Sequence, residues 1–322
     1  MKTLKEKKLS YEYNKNIPPE TFGIEIEVAD AEYNEIKNAL KQVLHYEPTI
    51  LGWNTKSNKI ENLYEVWRLK NDNTVQTSSK EDRNIKLGGE ITTPIMYNNK
   101  KCWQELELIC NTLKQVKNIK INGNCSIHIH TDKHIYTSIQ EYVNLLKLWM
   151  IYEDIIYRFS YGEKNGPRKL TTTYAKPISY IIYEILGELE KIETESELIK
   201  LMHYERKNGL NLTSIDKEKQ TIEVRTYNGT LNEKIIQNDV LFNQNLLNYA
   251  KTENFDKEFI DYKIKQYELL YLSESVKMKP EKAKELACLL FKNELDRLNF
   301  LKQYLKAYND DDIEKTYHLC YH

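Results

Sequence analysis

The stretch TFGIEIEVA, residues 21–29, alternates apolar and acidic side chains with a period of two. That alternation specifies a β-strand whose two faces differ in chemistry. Ile24, Ile26 and Val28 take one face, and Glu25 and Glu27 the other. Carboxylates one strand repeat apart lie roughly 6–7 Å from each other along the backbone. Their like charges oppose ionisation unless a cation lies between them. Taken alone, such a pair is ordinarily a solvated strand face.

The same arrangement recurs downstream. NCSIHIHTD (124–132) sets His128 and His130 on one face and Ile127 and Ile129 on the other. KLGGEITTPI (86–95) places Glu90 alone in an apolar strand, entered through two glycines and stopped by Pro94. QTIEVRTYNGTL (220–231) sets Glu223 and Arg225 together, opposite Ile222, Val224 and Thr226. Each motif has a plain reading. The last is a surface ion pair worth under about 1 kcal/mol. The histidine pair is a zinc site, a proton relay or an accident of an apolar strand.

Recurrence shifts the weighing. If these strands share one sheet, its polar face collects Glu25, Glu27, Glu90, Glu223, His128, His130 and Arg225. Carboxylate oxygens with a single imidazole suit Mg²⁺ or Mn²⁺. A structural zinc site fits less well, because no cysteine accompanies the histidines. A carboxylate-held divalent ion beside an arginine is what phosphoryl transfer needs. The chain has no G-x-x-x-x-G-K-[ST] loop and no G-x-G-x-x-G loop, so a nucleotide would bind on this sheet.

The remaining segments frame that sheet. EYNEIKNALKQVLHY (32–46) and KKCWQELELICNTLKQV (100–116) read as amphipathic helices, and ENLYEVWRLKNDNTVQT (61–77) as a hairpin turning at Asn-Asp-Asn. SIQEYVNLLKLWMIYEDIIYRFS (138–160) is apolar nearly all round and predicts a buried central helix. A Gly-, Pro- and Arg-containing loop fills 161–177, and helices follow near 178–190 and 195–203. KNGLNLTSI then pairs with the Glu223 strand, and only helix is predicted from 233 onward. KPEKAKELACLLFKNELDRLNFLKQYLKAY (279–308) reads as one helix with Pro280 in its first turn. Its apolar stripe is Ala287, Phe291, Leu295, Leu298 and Leu305.

Composition excludes several classes. The 322 residues are 40% hydrophobic and 30% charged, enough for a sizeable core. Net charge is −1, which argues against general nucleic-acid binding. No run of about 18 apolar residues predicts a membrane span. The basic start MKTLKEKKLSYEYNKNIPPE lacks the apolar core of a secretory signal, and residues 1–20 read as a polar arm. Five cysteines without a CxxC indicate a reduced, cytoplasmic chain.

The ordered set FGIEIE, a turn with Asp72, GGEITTPI, NCSIHIH, and RKNGLNL running into TIEVRTYNGTL resembles the amidoligase family. This family belongs to the carboxylate–amine ligases related to glutamate–cysteine ligase and glutamine synthetase. The resemblance spans about residues 21–245 and implies an α+β fold with a curved, mostly antiparallel sheet forming a metal- and ATP-binding cleft. It divides the chain into an arm (1–20), a catalytic domain (21–250) and a helical C-terminal extension (251–322). It implies an ATP- and Mg²⁺-dependent (or Mn²⁺-dependent) ligase that joins a carboxylate to an amine through an acyl phosphate. The substrates would be amino acids, peptides or proteins, and an oligomer is compatible with it.

Carried over by position, Glu27 and Glu90 hold one cation, and Glu25, His128 and Glu223 hold a second. Arg225 neutralises the transferring phosphoryl group, while His130, Arg168, Lys176 and Arg206 contact phosphates or substrate. Two departures stand out. Ser126 occupies a position where the family often has Gly. Arg83 stands seven residues before Glu90, where another carboxylate would complete the first cation site, so Asp72 becomes the substitute ligand. Two other outcomes fit the same sheet: a kinase-like phosphotransferase, and a non-catalytic binding or assembly protein.

Overall fold

Alternation at residues 21–29 produces the central strand of a sheet, β1 (Phe22–Glu32). The computed structural model describes residues 21–44, 48–51, 64–203, 205–217, 219–269 and 271–306. The arm expected at 1–20 and the last sixteen residues lie outside them. Strand β1 pairs antiparallel with β5 (Lys86–Thr92) on one side and β6 (Ser126–Asp132) on the other. Beyond β6 lie β8 (Thr221–Asn228) and β7 (Leu210–Asn211); beyond β5 lie β3 (Arg68–Lys70) and β2 (Thr49–Leu51). The order is β2-β3-β5-β1-β6-β8-β7, with β4 (Thr77–Ser78) also paired to β5. Only β2 and β3 run parallel among these strands. With ten α-helices, the described residues form a mixed α+β fold around an open, mostly antiparallel eight-stranded sheet.

The apolar face of every long strand is buried. Ile24, Ile26, Val28, Ile91, Ile127, Ile129 and Val224 enter one hydrophobic core. Helices α1 (Tyr33–Leu44), α2 (Lys100–Leu113) and α7 (Glu233–Tyr249) contribute to it. Helix α3 (Ile139–Ser160) is buried along almost its whole length, as its all-round apolar sequence predicts. Its start is fixed by a capping box between Ser138 and Glu141. Its few acids serve neighbouring helices. Glu153 accepts the backbone N–H groups of Ile178 and Ser179 at the start of α5 (Ser179–Leu189). Asp154 pairs with Lys279 and Lys282 at the start of α9 (Pro280–Leu290).

Two sequence expectations need correction. Segment 61–77 does not form a hairpin in its described part. Strands β3 and β4 both pair antiparallel with β5, so the Asn-Asp-Asn turn interrupts a strand without reversing it. Asp72 explains the interruption: its carboxylate accepts the N–H and hydroxyl of Thr74, an Asx-type turn. Segment 279–308 is two helices. After α9 the chain is extended at Phe291, and α10 (Glu294–Leu305) restarts with Asn293 as its N-cap. The break rotates the apolar stripe. Ala287 and Phe291 are buried, whereas Leu295 is 60% exposed and α10 buries Phe300, Leu301 and Tyr304 instead.

Phe300 ties these last helices to the core. Its ring contacts Phe159 of α3, Phe242 of α7, Phe291 and Tyr304, with centroids 4.9–6.4 Å away. Removing a buried phenyl ring at such a junction costs about 3–5 kcal/mol. Phe300→Ala should therefore lower the urea midpoint for the whole chain in one transition, read by far-UV circular dichroism. A separate early transition, with the sheet's midpoint unchanged, would contradict a shared core.

Candidate active site and metal centre

Register, more than face, decides which polar groups meet. Residues directly opposite on paired strands share a face. One row runs Lys70–Glu90–Glu27 across β3, β5 and β1. The next runs Arg68–Thr92–Glu25–His128. A third runs Gly23–His130–Glu223–Asn211 across β1, β6, β8 and β7. Glu25, Glu27, Glu90, His128 and Glu223 are thereby brought into one buried cluster.

Glu25 is its hub. One oxygen receives His128 Nδ1 at 3.1 Å. The other lies 3.3 Å from Lys70 Nζ, 3.3 Å from His130 Nε2 and 3.8 Å from Lys219 Nζ. Burial pushes this carboxyl's pKa up, but Lys70, His130, Lys219 and the His128 hydrogen bond outweigh it and hold it well below the usual range. Lys70 also donates to Glu90 at 2.6 Å. Burial alone would lower the lysine's pKa; Glu25 and Glu90 reverse that and raise it.

The two histidines differ. His128 has both ring nitrogens engaged: Nδ1 with Glu25, and Nε2 with Ser126 Oγ at 2.9 Å. Ser126 in turn joins Glu27, its N–H at 2.7 Å and its hydroxyl at 2.6 Å from one carboxylate oxygen. Burial raises the Glu27 pKa against the pull of His128 and Ser126. Both nitrogens of His128 are therefore already taken by hydrogen bonds within the chain. On His130, Nδ1 faces Thr221 Oγ1 at 3.1 Å, while Nε2 is buried without a hydrogen-bond partner. That nitrogen points between Glu25, at 3.3 Å, and Glu223, at 3.6 Å. One ligand atom from each of Glu25, His130 and Glu223 falls within 4.8 Å of the other two. Neighbouring ligands of an octahedral ion with bonds near 2.1 Å sit about 3 Å apart, so a small closure would fit one. The sequence reading put His128 in this set and His130 on phosphate; the triad drawn together here contains His130.

Glu223 is braced on both oxygens. Arg225 Nη1 bonds one, and Asn211 Nδ2 donates to the other at 2.6 Å. Burial raises its pKa, but His130, Arg225 and His128 prevail and bring it to about 2. Arg225 also donates from Nε to the Tyr174 carbonyl at 3.0 Å, which fixes the guanidinium on the polar face. Arg168 is buried, with its N–H on Asn228 Oδ1 and its Nε unsatisfied. The other expected contacts are looser. Lys176 pairs with Glu205 at 3.1 Å, and Arg206 is exposed before β7. Asp72 is half-buried, with one oxygen committed to Thr74.

Sequence reasoning missed Lys70, Lys219 and Ser126 as members of the cluster. Arg68 and Lys70 carry the same i, i+2 signal as the acids, but in a three-residue strand taken for half of a hairpin. Lys219 comes from the loop before β8, where no periodicity marks it.

A family model described as "Putative amidoligase enzyme" matches residues 18–247. That range contains all eight strands and every member of the cluster. No curated protein sequence matches the chain significantly. Among the described residues, no helix is long and apolar enough to cross a membrane.

The depressed Glu223 carboxyl links stability to pH. Its folded pKa of about 2 lies below the ordinary 4.5. The stabilisation is therefore present above pH 4.5 and is lost as pH falls toward 2, at most roughly 3 kcal/mol for such a shift. Urea denaturation across that window should show stability falling with pH. Glu223→Gln should be less stable at pH 7 and fall less steeply. An equal slope in the variant would mean that Glu223 is ionised no more readily in the fold than in the unfolded chain.

Proposed function

Because this chain belongs to the amidoligase family, we propose that it is an ATP-dependent ligase that joins a carboxylate to an amine. The γ-phosphoryl group of ATP passes to a carboxylate oxygen, releasing ADP. The amine nitrogen then forms the amide bond as phosphate leaves and the amine gives up a proton. The observation that carries this reading is the buried His130 Nε2, which has no hydrogen bond and lies between Glu25 and Glu223. A nitrogen beside two carboxylates is the donor set of a Mg²⁺ or Mn²⁺ site. Glu25, His130 and Glu223 would hold such an ion, which would supply positive charge for the triphosphate.

The chain's own residues supply the rest. Arg225 presents a fork of donors beside Glu223 and stays charged at any working pH. Its attraction grows as negative charge spreads over the transferring oxygens, so it acts most strongly in the transition state. Lys219 and Lys176 stand nearer solvent and suit ground-state phosphate contact. His128, Ser126 and Glu27 hold the shape of the site from beneath. We assign catalysis to residues 21–250 and treat the helices from 251 as a buttress for α3. The free, mostly buried thiols Cys102, Cys110 and Cys125 fit work in the reducing cytoplasm.

The test is ADP release with pooled carboxylates and amines, alongside amide formation by mass spectrometry. Arg225→Ala should cut turnover roughly 10²-fold or more, as loss of a transition-state charge partner does. Its affinity for a non-hydrolysable ATP analogue should change much less. Wild-type turnover in Arg225→Ala would reduce that residue to a partner of Glu223. ADP release with a phosphorylated product that no amine captures would replace the ligase by a phosphotransferase.

A further inference from the structure

Arginine and carboxylate side chains often meet fork to fork, two nitrogens on two oxygens. Glu223 and Arg225 do not. Arg225 Nη1 bonds Oε1 of Glu223, whereas Oε2 takes Asn211 Nδ2 at 2.6 Å. Asn211 lies directly opposite Glu223, on β7 at the end of the sheet. Its amide is fixed in that sense. Oδ1 accepts both the N–H and the hydroxyl of Thr213, each at 2.9 Å, which leaves Nδ2 facing the carboxylate. Asn211, Thr213 and Glu223 are all buried, so a bond lost among them is not made good by bulk water.

The arginine carries the consequence. Its Nε is on the Tyr174 carbonyl and its Nη1 on Glu223, while Nη2 makes no hydrogen bond among the described residues. Were Oε2 released, the carboxylate could turn its second oxygen onto Nη2 and close the fork. Oε1 is also the oxygen that faces the histidines, 3.6 Å from His130 Nε2 and 3.7 Å from His128 Nδ1, and closing the fork would draw the carboxylate away from them. We propose that Asn211, locked by Thr213, is a positioning residue: it holds Glu223 to one nitrogen of Arg225 and so keeps Nη2 for the transferring phosphoryl group. This rests on the ligase reading of the preceding subsection and deepens it. An amide suits the task, because it donates to the carboxylate without adding a charge that would rival Arg225.

Crystal structures of nucleotide-free wild type and Asn211→Ala test the geometry independently of activity. In Asn211→Ala both Glu223 oxygens should lie on Arg225, at Nη1 and Nη2; a Glu223 still on one nitrogen overturns the inference. Turnover, read as ADP release with pooled carboxylates and amines, tests the consequence. It should fall roughly tenfold or more in Asn211→Ala, the scale seen when an outer hydrogen-bond partner of a site is lost. Affinity for a non-hydrolysable ATP analogue should change less. Thr213→Val frees the amide to turn and should show part of that loss; Thr213→Ser, which keeps both donors, should recover it. In an Arg225→Ala background the Asn211 change should cost little more, because the two side chains act as a unit. An equal loss in both backgrounds overturns the inference, since Asn211 would then act elsewhere. If Asn211→Ala fails to fold, the structures and rates of Thr213→Val and Thr213→Ser decide. Wild type without ADP release removes the ligase reading, while the Asn211→Ala structure still decides whether Asn211 holds Glu223.

Discussion

One buried carboxylate organises the polar half of this protein. Glu25 is 7% exposed, yet its charge is held by Lys70, His128, His130 and Lys219. Taking an unpaired carboxylate out of water would cost several kcal/mol. Here the cost is offset because β1 is the central strand, with a partner on each side. Pairing with β5 and β3 brings the lysine and arginine; pairing with β6 brings the histidines. A slip of one residue in any of these pairings would turn the whole set to the apolar side. The buried isoleucines on the opposite face resist that slip, so the hydrophobic core enforces the electrostatics.

The histidines show how one strand motif gives two environments. Both stand on the same face, two residues apart. His128 meets β1 at Glu25 and β8 at a bulge, where Arg225 and Thr226 together face it. His130 meets Gly23, which offers no side chain, and Glu223. The first ring is therefore hydrogen-bonded on both nitrogens, and the second keeps one nitrogen without a hydrogen bond. Ser126, where the family often has glycine, extends this division. Its amide and hydroxyl reach Glu27, and its oxygen reaches His128. The departure does not open a gap; it joins Glu25, His128 and Glu27 into one hydrogen-bonded line.

Period-two alternation made the strands and their polar face legible from sequence, because Glu25/Glu27, His128/His130 and Glu223/Arg225 all obey it. It could not show which group meets which, because a period fixes the face and pairing register fixes the row. That is why the sequence alone could not tell His128 from His130. Short strands were the second limit. Arg-Leu-Lys at 68–70 is too brief for alternation to outweigh the turn residues after it, so the cation beside Glu90 went unseen. The break between α9 and α10 carried a signal, Asn293 as a cap, which the apparent continuity of the Ala287–Leu305 stripe overrode.

Placement of Arg225 depends on a helix that touches no part of the cluster. On α3, Ser160 hydrogen-bonds Thr226 at 2.8 Å, at the bulge beside Arg225. One turn earlier, Tyr157 donates to the Ala175 carbonyl at 2.7 Å and holds the loop whose Tyr174 carbonyl receives Arg225 Nε. Gly209 closes the arrangement. Its N–H bonds Lys176 and its carbonyl accepts from Arg225 N–H, each at 2.8 Å. A Cβ there would fall 2.3 Å from the Tyr157 hydroxyl, so only glycine lets loop, strand and helix meet. Helix α3 is in turn anchored by Lys279 and Lys282 on Asp154 and by Phe300 on Phe159. The C-terminal helices, outside the matched family range, thus reach the guanidinium only through intermediates: they hold α3, α3 holds the bulge and the loop, and those two hold Arg225.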